Sequence, residues 1–424
     1  MLSILLGHRD GSPSLIGGSM NTKRMTIPVA LGTMAAMLTV AVPAGAAGSA
    51  TVTNAADSGE GTLRSALAAG ATNITIAVPE ITITSTLQYT GSEALVINGG
   101  GAVVKGNGIK ATLFQSAGGA DVTITNMTFD DGGNFGVNAG GGYGLHFATT
   151  ASQTGKMTID LDNVTVQGVG GHGIYVDDSG GSPATVVLNV TDVLVDRAGI
   201  GGFDQDGIRV DETGDGNINF RAHKSQFTAA GADGVELDEA GAGDVNFGVS
   251  NVVLTRNGDY CEGQSISNPE DPLCVEEGEL DLDDGFDIDE ADSGSVRGFV
   301  GDVVASNNFD EGLDFDEAGS GGFDVTITDV VAEGNVDEGI KMSEEDAGRT
   351  WVAMADVRVN NGKNDAMAIE EAGPGSLYAY MVDVDATGND GIGLVAEQLD
   401  AGSGIAIPTA SNLGEVELEG VELG

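Results

Sequence analysis

Four aspartates in two short segments set the chemical question. Residues 283–290 read DDGFDIDE and residues 310–317 read DEGLDFDE. Asp287 and Asp289 alternate with Phe286 and Ile288; Asp314 and Asp316 alternate with Leu313 and Phe315. Alternation with period two belongs to a strand with one dry face and one wet face. Carboxylates two apart on such a strand lie about 6.5–7 Å apart, and those on neighbouring strands about 4.8 Å apart. Pairs at these separations can perform acid–base chemistry on a glycosidic bond. Larger groups can share a hard divalent cation. Either chemistry requires the two segments to meet in space.

The elements that must position them form a repeat. A small residue precedes the alternating run at Gly207, Gly234, Gly285, Gly312, Gly339, Ala366 and Gly391, with spacings of 27, 51, 27, 27, 27 and 25 residues. The 51 is one repeat plus a 24-residue insertion, 259–282. Looser copies begin at Gly144 and Gly173. An Asn or Asp before Val marks the same period at Asn163, Asp192, Asn251, Asp302, Asp329, Asp356 and Asp383, and a further Asn follows at Asn257, Asn308, Asn335 and Asn389. Stacked amides at turns are structural: they form side-chain ladders and tolerate left-handed backbone. No helical pattern interrupts the repeats. Short strands at a fixed 27-residue period predict an all-β right-handed parallel β-helix, a solenoid whose like positions stack about 4.8 Å apart.

Residues one and three after each anchor are then core: Ile208/Val210, Val235/Leu237, Phe286/Ile288, Leu313/Phe315 and Ile340/Met342. Residues two and four face outward, giving Arg209/Asp211, Glu236/Asp238, Asp287/Asp289, Asp314/Asp316 and Lys341/Ser343. Three central rungs make a grid of six carboxylates between Arg209 and Lys341. The following turn is expected to add Glu212, Glu239, Glu290, Glu317, Glu344 and Glu371, and the preceding one Asp206, Asp233, Asp284 and Glu311. Like charges at rung spacing repel by about 0.9 kcal/mol each at a water-like dielectric and more near a protein surface. Raised pKa values, screening salt or bound cations relieve this. Ca²⁺ is the most economical remedy, because it takes six to eight oxygens from carboxylates and carbonyls. The expected ligands are Glu236, Asp238, Asp287, Asp289, Asp314, Asp316, Glu290 and Glu317; the alternative is a face with diffuse counter-ions only. No standard calcium loop is present, since an EF-hand reading puts Leu280 and Leu282 at ligand positions.

Bulk composition narrows the partners. The 424 residues carry 65 acidic and 17 basic side chains, a net charge of −48, which repels nucleic acid and anionic lipid and attracts cations. Lys23 and Arg24 precede an apolar run, 25–42, and Ala44-Gly45-Ala46 fits a small-x-small cleavage site. Residues 1–46 therefore read as an export signal, with Met20 as an alternative start, and 47–424 as one domain. No later run is long enough to span a bilayer. Export makes a disulfide between Cys261 and Cys274 reasonable; it would close the insertion into a compact loop beside the densest acidic strand.

The stretch TVTNAADSGEGTLRSAL, 51–67, resembles the opening of secreted bacterial right-handed parallel β-helix proteins of the pectin-lyase-like superfamily, and LVINGGGAVVKGNG and DVTITNMTFDDGG resemble their rungs. The resemblance implies an N-terminal cap, here 51–72, over the first rung. It also implies polysaccharide lyase or glycoside hydrolase activity as an alternative to binding, with Asp287, Asp289, Asp314, Asp316, Lys341 and Arg209 as the catalytic candidates. His172 lies in a G-H-G like that of polygalacturonases, but their other elements are missing from matching contexts. The sequence thus points to a monomeric extracellular or cell-surface protein (the periplasm is also open) that binds Ca²⁺ and a carbohydrate or cell-surface component.

Overall fold

The computed structural model describes residues 48–133, 135–276 and 278–424. The expected export signal lies outside them. Each period-two run becomes a strand, and each strand pairs in parallel with its counterpart one turn on. Among the described residues, twelve strands from Leu87–Tyr89 to Val416–Glu419 form one parallel sheet and eighteen another, while Val275–Glu276 and Glu279–Leu280 pair antiparallel in the insertion. The chain is an all-β right-handed parallel β-helix of about 13 turns.

The register follows the anchors. Val235 pairs with Phe286, Phe286 with Leu313, Leu313 with Ile340 and Ile340 with Met367. The last anchor is corrected. Ala368 pairs with Val395 and Ile369 with Ala396, so the small residue is Gly393 rather than Gly391, and the period stays at 27 residues. The two glycines of Gly391-Ile392-Gly393 fit the anchor equally well by sequence; only the strand pairing chooses between them.

Inward positions stack into the core. Phe286 and Phe315 pack edge to face at 5.2 Å, with Phe247 of the opposite sheet 5.7 and 5.3 Å from them. The turns behave as the Asn and Asp pattern requires. All seven residues before Val, from Asn163 to Asp383, have φ between 50° and 55°. Asn257 donates through Nδ2 to Asn308 Oδ1 at 3.0 Å, and Asn308 to Asn335 at 3.1 Å, in a buried amide ladder.

The first rung is covered by the helix Leu63–Ala68, which turns Leu63, Ala66 and Leu67 inward. Thr62 caps it by accepting the Ser65 amide at 3.2 Å. Arg64 ties it down through Asp57 and the carbonyls of Ser85 and Thr86.

The insertion leaves at Asp259 and folds back across earlier turns. Cys261 and Cys274 form the disulfide. Tyr260 accepts the Asn138 amide at 2.9 Å and donates to Asp271 at 2.9 Å, while Val137, Phe203 and Leu282 pack against it. The bridge closes a short loop that lies outside the solenoid ladders. Its removal in Cys261→Ser/Cys274→Ser should release on the order of 3 kcal/mol of loop entropy locally. The expected result is roughly tenfold faster proteolytic cutting within 262–273, with the main melting transition unmoved; mass mapping of the fragments checks it.

Candidate functional site

The outer face of the twelve-stranded sheet carries the expected residues in register. One column reads Gln115, His146, Tyr175, Arg209, Glu236, Asp287, Asp314, Lys341. The next reads Asp177, Asp211, Asp238, Asp289, Asp316, Ser343. Asp238, Asp289 and Asp316 are direct successive partners, so the repeated acids meet.

Glu290 and Glu317 do not join them. Both strands run on past position four, to Asp292 and Gly319, so alternation turns position five inward again. Glu290 is 2 % exposed and Glu317 fully buried. Glu212, Glu239, Glu344 and Glu371 are buried in the same way. The expectation that these glutamates decorate the outer turn is therefore wrong; they belong to the interior.

The acids of the preceding turn have a backbone role. Asp206 accepts the Asp233 amide at 3.1 Å, Asp233 the Asp284 amide at 2.5 Å and Asp284 the Glu311 amide at 2.7 Å. Each thereby staples one rung to the next.

Positive charge holds the two ends of the grid. Arg209 contacts Asp204 at 3.1 Å, Asp211 at 2.7 Å, and also Glu236 and Asp238. Lys341 lies 2.5 Å from Asp314 and 3.4 Å from Glu311. Between them the carboxylates outnumber their partners. Burial, against the pull of Arg209, raises the Asp238 carboxyl to about 6, with Asp289 adding to the rise. Burial and then Asp314 raise Asp316 to about 7. Asp287 rises well above the ordinary aspartate value, by burial first and then by Asp289 and Asp314.

Carboxylate oxygens converge in a chain of overlapping triads. Asp233/Glu236/Asp287, Glu236/Asp238/Asp289 and Asp284/Asp287/Asp314 each bring three oxygens within 4.8 Å of one another. Asp314 Oδ1 and Asp316 Oδ1 are buried without a hydrogen-bond partner. A hard cation needs several charged oxygens with lone pairs to spare, and this donor set supplies them. At the triads, Leu282 at the foot of the insertion, Asp283 and Phe203 line a cavity of about 250 Å³ together with Asp233, Glu236 and Asp287.

An aromatic platform adjoins the grid on the N-terminal side. Tyr143 stacks on His172 at 5.2 Å, and His146 on Tyr175 at 5.1 Å. Tyr175 donates to Asp211 at 2.6 Å, and His146 Nε2 lies 3.2 Å from Asp177. His172 Nδ1 accepts the Asp206 amide at 2.9 Å. Sequence reading missed this platform, because its rungs are spaced 29 to 34 residues and fall outside the 27-residue pattern. Aligning His146 and Tyr175 with Arg209 by the outward position alone would have found it.

The chain is a parallel β-helix by its own strand ladders. No family model and no curated protein sequence matches it. Solved structures resemble it in outline. The A-module of a mannuronan C-5 epimerase from Azotobacter vinelandii is 13 % identical, with 88 % of this chain and 99 % of that one covered and a TM-score of 0.39. The catalytic unit of a GH87 α-1,3-glucanase from Streptomyces thermodiastaticus is 15 % identical over 89 % of this chain and 69 % of its own, with a TM-score of 0.39. A protein of Geobacillus virus E2, ORF18, is 12 % identical over 88 % and 61 %, with a TM-score of 0.42.

Proposed function

We propose that the protein is an exported, monomeric β-helix that binds Ca²⁺ between Arg209 and Lys341 and uses the loaded groove to hold a carbohydrate at the cell surface or outside the cell. The observation that carries the reading is the Asp284/Asp287/Asp314 triad, whose buried Asp314 Oδ1 lacks any hydrogen-bond partner. Glu236, Asp238, Asp289 and Asp316 extend the donor set along the groove. Calcium would neutralise the grid and present open coordination positions to sugar hydroxyls or carboxylates, next to an aromatic platform suited to stacking on a sugar face. The disulfide suits an oxidising compartment. No helix among the described residues is long and apolar enough to cross a membrane.

Calorimetric titration of chelator-stripped protein with CaCl₂ should give saturable binding. Asp287→Asn/Asp314→Asn should weaken it by about tenfold or more, and Mg²⁺ should bind less well because it demands a stricter octahedron. Absent binding heat, together with melting unmoved by chelator at moderate salt, would remove the calcium reading.

A catalytic reading is favoured by Tyr175 and His146, each hydrogen-bonded to an aspartate within one or two rungs of Arg209. Turnover of a polysaccharide panel, dependent on Ca²⁺ and lost in Tyr175→Phe with the fold intact, would establish it. Ligand retention without turnover keeps the protein a binder.

A further inference from the structure

The interior holds a second array of acids that the groove does not use. Glu212, Glu239, Glu290, Glu317 and Glu344 follow one another in strand register, and Glu371 continues the column. All are buried. Each stands four residues before a glycine: Gly216, Gly243, Gly294, Gly321, Gly348 and Gly375. A Cβ at any of the six would press on the carboxylate of its own rung, so the glycines keep the niche open. Glycine amides satisfy part of the column: Gly214 donates to Glu212, Gly241 and Gly243 to Glu239, and Gly373 to Glu371. In the middle, no N–H or hydroxyl donates to either carboxylate oxygen of Glu290, Glu317 or Glu344; their carboxyls lie within hydrogen-bond reach of one another along the column. Among the described residues, no Lys, Arg or His is ion-paired with any of the six; the basic pairs lie on the outer grid and elsewhere on the surface.

The ends of the column differ from its middle. On the rung before Glu212, Asp178 is satisfied by Ser182 and by the Thr149 hydroxyl. After Glu371 comes Gln398, which donates to the carbonyls of Glu371 and Gly373. Its Oε1, however, is buried without a hydrogen-bond partner. Amide columns are self-sufficient elsewhere, as Asn257, Asn308 and Asn335 demonstrate. Six consecutive glutamates instead make the column a strip of ionisable groups. Buried ionised carboxylates cost several kcal/mol each unless they take up protons or something positive joins them.

We propose that the glutamate column is a second, interior cation site, in which divalent cations sit between successive carboxylates, one for each two glutamates. Six carboxylates and three divalent ions make the column neutral. A groove of about 400 Å³ lies against Glu239, Glu290 and Glu317 beside Asp238, Asp289 and Asp316, with the carboxylate oxygens of Glu290 and Glu317 shielded behind it. The site stands independently of the calcium reading of the outer grid: one faces solvent between Arg209 and Lys341, and the other lies beneath the sheet.

The test is the metal content of the full-length protein after exhaustive dialysis against metal-free buffer, measured by inductively coupled plasma mass spectrometry. About three tightly held divalent ions per chain are expected in the wild type. They should persist in the outer-grid variant Asp287→Asn/Asp314→Asn and fall to two or fewer in Glu317→Gln. Wild-type protein that retains no divalent ion, and whose melting temperature does not rise when Ca²⁺, Mn²⁺ or Zn²⁺ is added back, would overturn the proposal; neighbouring glutamates then share protons instead. Ions that vanish in the outer-grid variant but survive in Glu317→Gln would overturn it too, while leaving the groove reading intact. Should Glu317→Gln fail to fold, the wild-type dialysis and add-back still decide.

Discussion

Gly321→Ala is expected to be among the most damaging single-methyl changes this chain can suffer. A Cβ at Gly321 would fall far inside contact distance of the Gly294 carbonyl oxygen on the preceding rung and of Glu317 Oε1 on its own. Neither neighbour can give way cheaply. Gly294 lies between two strands that are held to adjacent rungs by parallel ladders. The Glu317 side chain is fully buried and stacked between Glu290 and Glu344 of the adjoining rungs. The φ of Gly321 is not in the left-handed region, so the whole effect is steric. Overpacking of this kind costs about 1–3 kcal/mol where side chains can shift, and more where backbone must. A loss above about 3 kcal/mol is the expected value, read as a lowered midpoint in urea. Gly180→Ala is the control, since a Cβ there meets nothing within 4 Å; its change should stay within about 0.5 kcal/mol. Equal stability of the two variants would mean that the rungs are looser at this turn than the ladders imply.

The same glycine shows what sequence could and could not reveal. The 27-residue period, the core columns and the outer grid were legible because alternation and spacing report directly on which face a side chain takes. The Asn and Asp turns were legible because only a few residue types accept positive φ. The glutamate column was not, although its signal, Glu four residues before Gly, recurs in six successive rungs. Acid at a strand end reads as solvent-exposed unless one asks why a glycine always follows at the same distance. The aromatic platform was lost for a different reason: its rungs carry longer turns, so Tyr143, His146, His172 and Tyr175 drop out of the period while staying in the sheet. The foot of the insertion, at Leu282, lines a cavity with Asp233, Glu236 and Asp287 of the acidic strands and their turns. The insertion's contacts with Asn138 and Val137 join turns more than a hundred residues apart, and nothing local encodes them.

Metal-free protein is expected to lose stability as pH rises from about 4 to about 7, the reverse of the usual behaviour of paired carboxylates. The sign follows from the groove. In the folded chain the Asp238 carboxyl is raised to about 6 and Asp316 to about 7, both by burial first, from an ordinary value of 3.8. Over that window the folded state keeps protons that the unfolded chain has already released. Stability is then fully present below pH about 4 and declines until the folded groups have ionised. Several such groups act together, so the aggregate loss is on the order of several kcal/mol. Calcium inverts the trend, because it competes with protons for the same oxygens and binds best when they are ionised. At 100-fold excess over its dissociation constant, each independent ion restores about 2.7 kcal/mol. The measurement is the first melting transition at pH 5 and pH 8, with chelator and with calcium. Chelated protein should melt lower at pH 8 than at pH 5, and calcium should raise the pH 8 value far more than the pH 5 value. Asp289→Asn/Asp316→Asn should flatten both differences, since it removes two of the crowded charges and two of the proposed ligands at once. A chelated wild type that grows more stable with pH would show that Arg209 and Lys341 already neutralise the grid, leaving no electrostatic demand for a bound ion there.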